Sequence, residues 1–223
     1  TPLYSSAASD VYKRQLLVMP VHTFIDQEDE ASIGEYVDYI ETKKRNFQNI
    51  TICLHGDDFY SGSLREAFEN RGFPVIRGAE VGDISSLARL GFLFSKFETV
   101  TGNGVGSQFV YASVFGSKVA ISGPAIANKQ IGELNLPFYR NYPEGLDLGG
   151  DFMTDRWRNH HPFLFGEPEQ ANYCREWALG IAGIDSKLAP SDLELALGWR
   201  PALPMFARKS GYFAWLLKSK LSH

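Results

Sequence analysis

Thr99-Val100-Thr101-Gly102-Asn103-Gly104-Val105-Gly106-Ser107-Gln108-Phe109-Val110-Tyr111-Ala112-Ser113-Val114-Phe115 is the stretch on which the fold turns. Thr99-Val100-Thr101 is β-branched and bounded by glycine, the pattern of a short buried strand. Residues 107–115 read as a helix that is apolar on nearly every side, and such a helix is buried. Between them stand Gly102, Gly104 and Gly106. Glycines let a backbone approach a ligand closely and adopt positive φ. The helix that follows directs its unpaired N–H groups and positive dipole end at the same spot. Phosphate or diphosphate is the natural occupant, and Ser107 adds a hydroxyl donor. The alternative is a tight strand-to-helix turn without a ligand. Against it stands the polar, glycine-rich start of an otherwise apolar helix.

Outward from this turn, strand and helix patterns alternate. Leu16 to Val21 is an apolar run that predicts a strand, as do Ile50–Leu54, Pro74–Ile76 and Lys118–Ser122. Helical periodicity runs over Ala31–Phe47, over Leu64–Arg71 with Gly72 as C-cap, and over the stretch carrying Ile84, Leu87, Leu90, Phe94 and Phe97, with Asp83 as N-cap. Strands alternating with helices imply an α/β fold with a Rossmann-like parallel sheet and right-handed crossovers. Such a sheet binds ligands beyond the carboxyl ends of its strands. The domain is expected to span residues 16–140. Residues 141–223 are expected to form a loop-rich and helical C-terminal extension, loop over Asn141–Pro162, then helices over Glu167–Ile181 and Ser191–Leu197.

Two histidines fall at ligand-facing strand ends. His22 closes the first strand, where it can donate to a phosphate oxygen or protonate a leaving group. His55 closes the second, followed by Gly56 and by Asp57-Asp58, which cap a helix or bind a cation; the alternative for both histidines is a solvated loop. His160-His161 with Asp151 and Asp155 do not make a metal set, because adjacent side chains diverge and nothing completes a tetrahedron. No metal site is expected.

Several classes are excluded. Lys and Arg number 22 against 26 Asp and Glu, a net charge of −4, which argues against a broad basic face for nucleic acid. Two cysteines make neither a disulfide framework nor a four-cysteine zinc site. No apolar run approaches a membrane span, and no signal-peptide pattern is present, so the expected compartment is the cytoplasm. The basic, aromatic tail from Gly211 to Leu221 packs on the domain or rests on the inner face of a membrane. The turn lacks the lysine of a nucleotide-hydrolase phosphate loop, and no acid stands where a dinucleotide fingerprint needs one.

Arg77 to Asp83, the helix to Phe97 and the run to Pro124 resemble the C-terminal nucleotide-sugar domain of GT-B-fold glycosyltransferases. They are most similar to bacterial proteins of capsule and surface-polysaccharide assembly. Gly78, Asp83, Asn103, Gly106, Ser107, Tyr111, Ala112, Gly116, Lys118 and Val119 match the pattern, while Gln108 replaces its usual histidine. The resemblance covers about half the chain, roughly Leu16 to Pro124. It implies a nucleotide-sugar donor as substrate, a saccharide or lipid-linked acceptor, and no tightly bound cofactor. It further implies that Gly78, Ala79 and Glu80 hold the base or ribose, and that Asn103, Gly104, Gly106, Ser107 and Gln108 hold the phosphates. In this fold the general base comes from an N-terminal domain, expected to be missing upstream of Leu16. Residues 1–15 resemble a read-end artefact and are expected to be non-native sequence or a flexible arm. The alternatives are a nucleotide-sugar epimerase and a non-catalytic nucleotide-binding or scaffold module.

Overall fold

In the computed structural model, residues 14–22, 30–80, 82–126 and 150–197 are described. The expectations for residues 1–13 and for the tail 211–221 lie outside them. The chain divides into two compact units, Thr1–Ala182 and Gly183–His223.

In the first unit the elements run β1 (Gln15–Val18), α1 (Glu30–Thr42), β2 (Asn49–Leu54), α2 (Gly56–Ser61), α3 (Ser63–Glu69), β3 (Val75–Arg77), α4 (Ser86–Phe94), β4 (Thr99–Gly102), α5 (Ser107–Val114), β5 (Lys118–Ile121), α6 (Gly150–His160) and α7 (Arg175–Ile181). The five strands form one sheet in the order β3-β2-β1-β4-β5, parallel throughout. This is the Rossmann-like α/β architecture expected from the sequence. The chain builds outward from β1 to β3, then returns to place β4 on the other side of β1. The order therefore reverses between β1 and β4, and a crevice opens at their carboxyl ends.

Alternation along the strands sorts the core into two layers. Leu16, Val18, Ile50, Ile52 and Leu54 face one way, against Ile33, Tyr36, Val37 and Ile40 of α1 and Leu64 and Phe68 of α3. Leu17, Cys53, Val100, Val119 and Ile121 face the other way, against Leu90 and Phe94 of α4, Phe109 and Ala112 of α5, and Leu164 and Cys174 beyond β5. Strands buried on both faces read as continuous apolar runs, which made them legible.

Some elements differ from expectation. α4 begins at Ser86 with Ser85, not Asp83, as its N-cap: the Asp83 carboxylate accepts from the Ser85 N–H (2.8 Å) and closes a turn ahead of the helix. Ile84 lies in that turn, fully exposed, and Leu87 is largely exposed as well. Pro168 opens only a 3-10 turn, Pro168–Gln170, and the helix expected from Glu167 to Ile181 is confined to α7, Arg175–Ile181. The backbone is diverted at Asn172, which exchanges hydrogen bonds with Val119 of β5 (2.9 and 3.2 Å). Residues 150–160, read as loop, form α6. Leu164, Cys174 and Ala178, beyond β5, are buried.

In the second unit the described elements are a 3-10 turn, Ile184–Ser186, and α8 (Pro190–Ala196), close to the helix expected at Ser191–Leu197. Among the described residues no helix is long and apolar enough to cross a membrane.

Candidate functional site

A cleft of about 490 Å³ lies at the carboxyl edge of the sheet, where the strand order reverses. Four loops and two helices line it. The loop after β1 supplies Met19, Pro20, Val21 and His22, the end of β2 supplies Cys53, Leu54 and His55, and the loop after β3 supplies Ala79. The turn after β4 supplies Val105 and Gly106, α4 supplies Ser86, Leu87 and Leu90, and α5 supplies Ser107, Gln108 and Tyr111. Six of the residues singled out in the sequence therefore converge here: His22, His55, Ala79, Gly106, Ser107 and Gln108.

The other four do something else. Asn103 is buried and spans two loops: its Oδ1 accepts from the Val21 N–H (3.0 Å), and its Nδ2 donates to the Pro124 carbonyl (3.3 Å). It lines a second cleft, of about 560 Å³, beside Ile121, Ser122 and Arg158. A side chain at Gly104 would meet Val21 Cγ2 at 2.3 Å, so this glycine faces the loop after β1. Gly78 lies against β2; its N–H donates to the Leu54 carbonyl (2.7 Å), and a Cβ there would meet Cys53 Sγ at 2.7 Å. Glu80 pairs with Arg77 (2.8 Å) and covers Gly56.

The glycine turn works by close approach alone. Gly102, Gly104 and Gly106 are all outside the positive-φ region, contrary to expectation. Gly106 is extended, with φ −167°. The constraint at Gly102 is steric, since a Cβ would lie 2.2 Å from the Met19 carbonyl oxygen. That contact belongs to the β1–β4 pairing, which the Met19 N–H extends by donating to Thr101 O (2.7 Å). The atoms nearest a Cβ at Gly106 would be those of the Gln108 amide, which folds back over the turn.

The loop after β3 is fixed by α4. Arg89 donates to the Gly78 carbonyl (2.7 Å) and pairs with Asp83 (2.7 Å), holding the Asp83 carboxyl below its ordinary value. Cys53 forms part of the cleft wall, and burial pushes its thiol up to about 12.

His22 and His55 are not isolated loop side chains. Their rings lie 4.1 Å apart, centroid to centroid. His22 Nδ1 donates to the buried Asp58 carboxylate (3.0 Å), and its Nε2 lies 3.7 Å from Asp57 Oδ2. His55 caps α2, its Nδ1 accepting from the Asp57 N–H at 3.3 Å. By contrast, His160 and His161 lie at and just beyond the end of α6, where His161 packs among Trp157, Phe163 and Trp177.

Tyr111 of α5 was missed as a lining residue in the site reading, although it follows Ser107 by four residues and so shares its helix face. Leu87 and Leu90, named in the sequence only as part of a helical apolar period, line the cleft as well. Comparison with protein-family models and with curated proteins finds no match to this chain.

Proposed function

We propose that the cleft is the donor site of a glycosyltransferase, taking a nucleotide-activated sugar for transfer to a saccharide or lipid-linked acceptor. The observation that carries this reading is the meeting of the α5 N-terminus with the ends of β1, β2 and β3 at the strand reversal. The first N–H groups of a helix lack partners within it and favour an anion. Ser107 and Gln108 add a hydroxyl and an amide at the same point. Ala79, Leu87 and Leu90 give the opposite wall an apolar character suited to a base or ribose, and the volume is that of a small-molecule site. The resemblance of residues 77–124 to GT-B donor domains supports the same assignment.

The chemistry is electrostatic. Fixed N–H groups at the α5 terminus stabilise charge on the departing phosphate. A contact from His22 to that phosphate falls to Nε2, because Nδ1 is engaged by Asp58.

Thermal melting of residues 14–223 against UDP, GDP, CDP, CMP and dTDP, each with and without a sugar, tests the proposal. A ligand at 100 times its dissociation constant stabilises by ~2.7 kcal/mol, or about 5–10 °C for a chain of this size. One responding nucleotide, with the response weakened in Gly106→Val, supports a donor site. No response from a folded sample overturns it. Nucleotide binding without transfer would favour the scaffold reading, and a reversible change at the sugar without acceptor would favour the epimerase.

A further inference from the structure

We propose that His22, His55 and Asp57 form a binding site for one first-row divalent cation, with Zn²⁺ the best fit, at the mouth of the cleft. One ring nitrogen from each histidine and one Asp57 carboxylate oxygen lie within 4.8 Å of one another. Asp57 Oδ2 is 3.7 Å from His22 Nε2 and 3.4 Å from His55 Nδ1. Ligands held at 2.0–2.1 Å around a tetrahedral ion are separated by about 3.3–3.4 Å, so the two Asp57 distances are already near that spacing and side-chain rotation closes the set.

The second observation is the surroundings of His22. A metal-binding histidine characteristically passes its other ring N–H to a carboxylate, which fixes the ring and raises its basicity. His22 Nδ1 donates to Asp58 Oδ2 at 3.0 Å, and Asp58 is buried, so the partner is held in place. With Nδ1 engaged by Asp58, the nitrogen nearest Asp57 Oδ2 is Nε2, at 3.7 Å. At His55 the cation takes the lone pair that the Asp57 N–H now contacts at 3.3 Å, a long hydrogen bond. Two imidazoles and one carboxylate suit Zn²⁺ and its first-row neighbours better than Mg²⁺ or Ca²⁺.

Both histidines line the cleft, so an ion held by them stands at its wall. The lining contains no Lys or Arg among the described residues, and Asp57 and Asp58 place negative charge beside it. A bound divalent cation would neutralise that charge and take a phosphate oxygen directly. This last link rests on the donor reading; the metal site does not. The cation also removes His22 as a proton donor, because Nε2 becomes a ligand.

Titration of the chelator-treated full chain with Zn²⁺ alone, followed by calorimetry and by the visible spectrum of the Co²⁺ form, tests the site without nucleotide. One equivalent should bind. His22→Ala and Asp57→Asn should abolish that binding. Asp58→Asn, which keeps all three ligands, should weaken it by about 10–100-fold. A His160→Gln/His161→Gln variant should bind as the wild type does. If His22→Ala does not fold, Asp57→Asn, at a half-exposed side chain, decides alone. Absence of stoichiometric binding, or its persistence in Asp57→Asn, overturns the proposal. The nucleotide panel run without metal tests the donor reading separately, so either can fail by itself.

Discussion

The side chain of Asn103 accepts from the peptide nitrogen of Val21 across 3.0 Å, joining the loop after β1 to the glycine turn after β4 at the point where the strand order reverses. The same amide donates to Pro124 beyond β5. One buried side chain thus ties three of the loops that shape the carboxyl edge.

Asn103→Ala should cost about 1–3 kcal/mol, the penalty for leaving a buried donor and acceptor without partners. Urea denaturation measures it. Nucleotide affinity should fall as well, because the loop carrying His22 loses its tether. An unchanged midpoint would mean that the two loops hold their positions without Asn103.

The glycines of the turn should separate by kind. Gly102→Ala drives a methyl into the Met19 carbonyl and should destabilise by about 1–3 kcal/mol, the range for overpacking. Gly106→Ala first meets the Gln108 amide, the far end of a flexible side chain, and should leave the melting temperature within a degree or two, while weakening nucleotide binding. Equal losses of stability at both positions would contradict this division.

Acid should unfold the first unit in a defined window. Hydrogen bonding from Lys43 lowers the Glu167 carboxyl, Arg71 lowers Glu41, and Arg89 lowers Asp83. Each carboxylate stabilises the folded state while ionised. That contribution is complete above the ordinary carboxylate range of about 4 and is lost as pH falls through the lowered folded values. Denaturation midpoints between pH 7 and 3 should therefore be flat at first and then drop. Lys43→Met should make the drop shallower.

Cys53 should resist alkylation in the native protein. Its thiol is buried, and desolvation raises it to about 12, leaving almost no thiolate at neutral pH. Iodoacetamide labelling followed by mass spectrometry should modify it only on unfolding. Rapid native labelling would show that the cleft wall opens.

Much of the sheet could be read directly from the chain, because a strand buried on both faces leaves an unbroken apolar string such as Leu16-Leu17-Val18. The glycine turn was legible for a similar reason: few residue types fit where one backbone presses on another. α4 was harder. Ile84 and Leu87 continue the period of Leu90 and Phe94, yet Ile84 precedes the helix and Leu87 borders the cleft. Periodicity reports a face without saying what covers it. The His22–Asp58 pair was not legible at all. Thirty-six positions separate the two residues, and only the adjacency of β1 and β2 brings them together. The resemblance implies that Asn103 holds phosphate, whereas its amide bonds the backbone of Val21 and Pro124, which no local pattern announces.

The crossing at Val119 and Asn172 has a further effect. β5 is the last strand of the sheet, and an outermost strand offers a row of unpaired backbone groups on which another chain can add. Here the segment from Phe165 to Asn172 runs along that border, with one antiparallel rung at Val119 and one parallel rung at Ile121. Gly166 donates to the Ile121 carbonyl (3.2 Å), and Asn172 and Val119 bond in both directions. The sequence beyond the five strands therefore serves as a selvedge. Cut away, it would leave β5 open to self-association, and the sheet domain would be expected to aggregate before it unfolded.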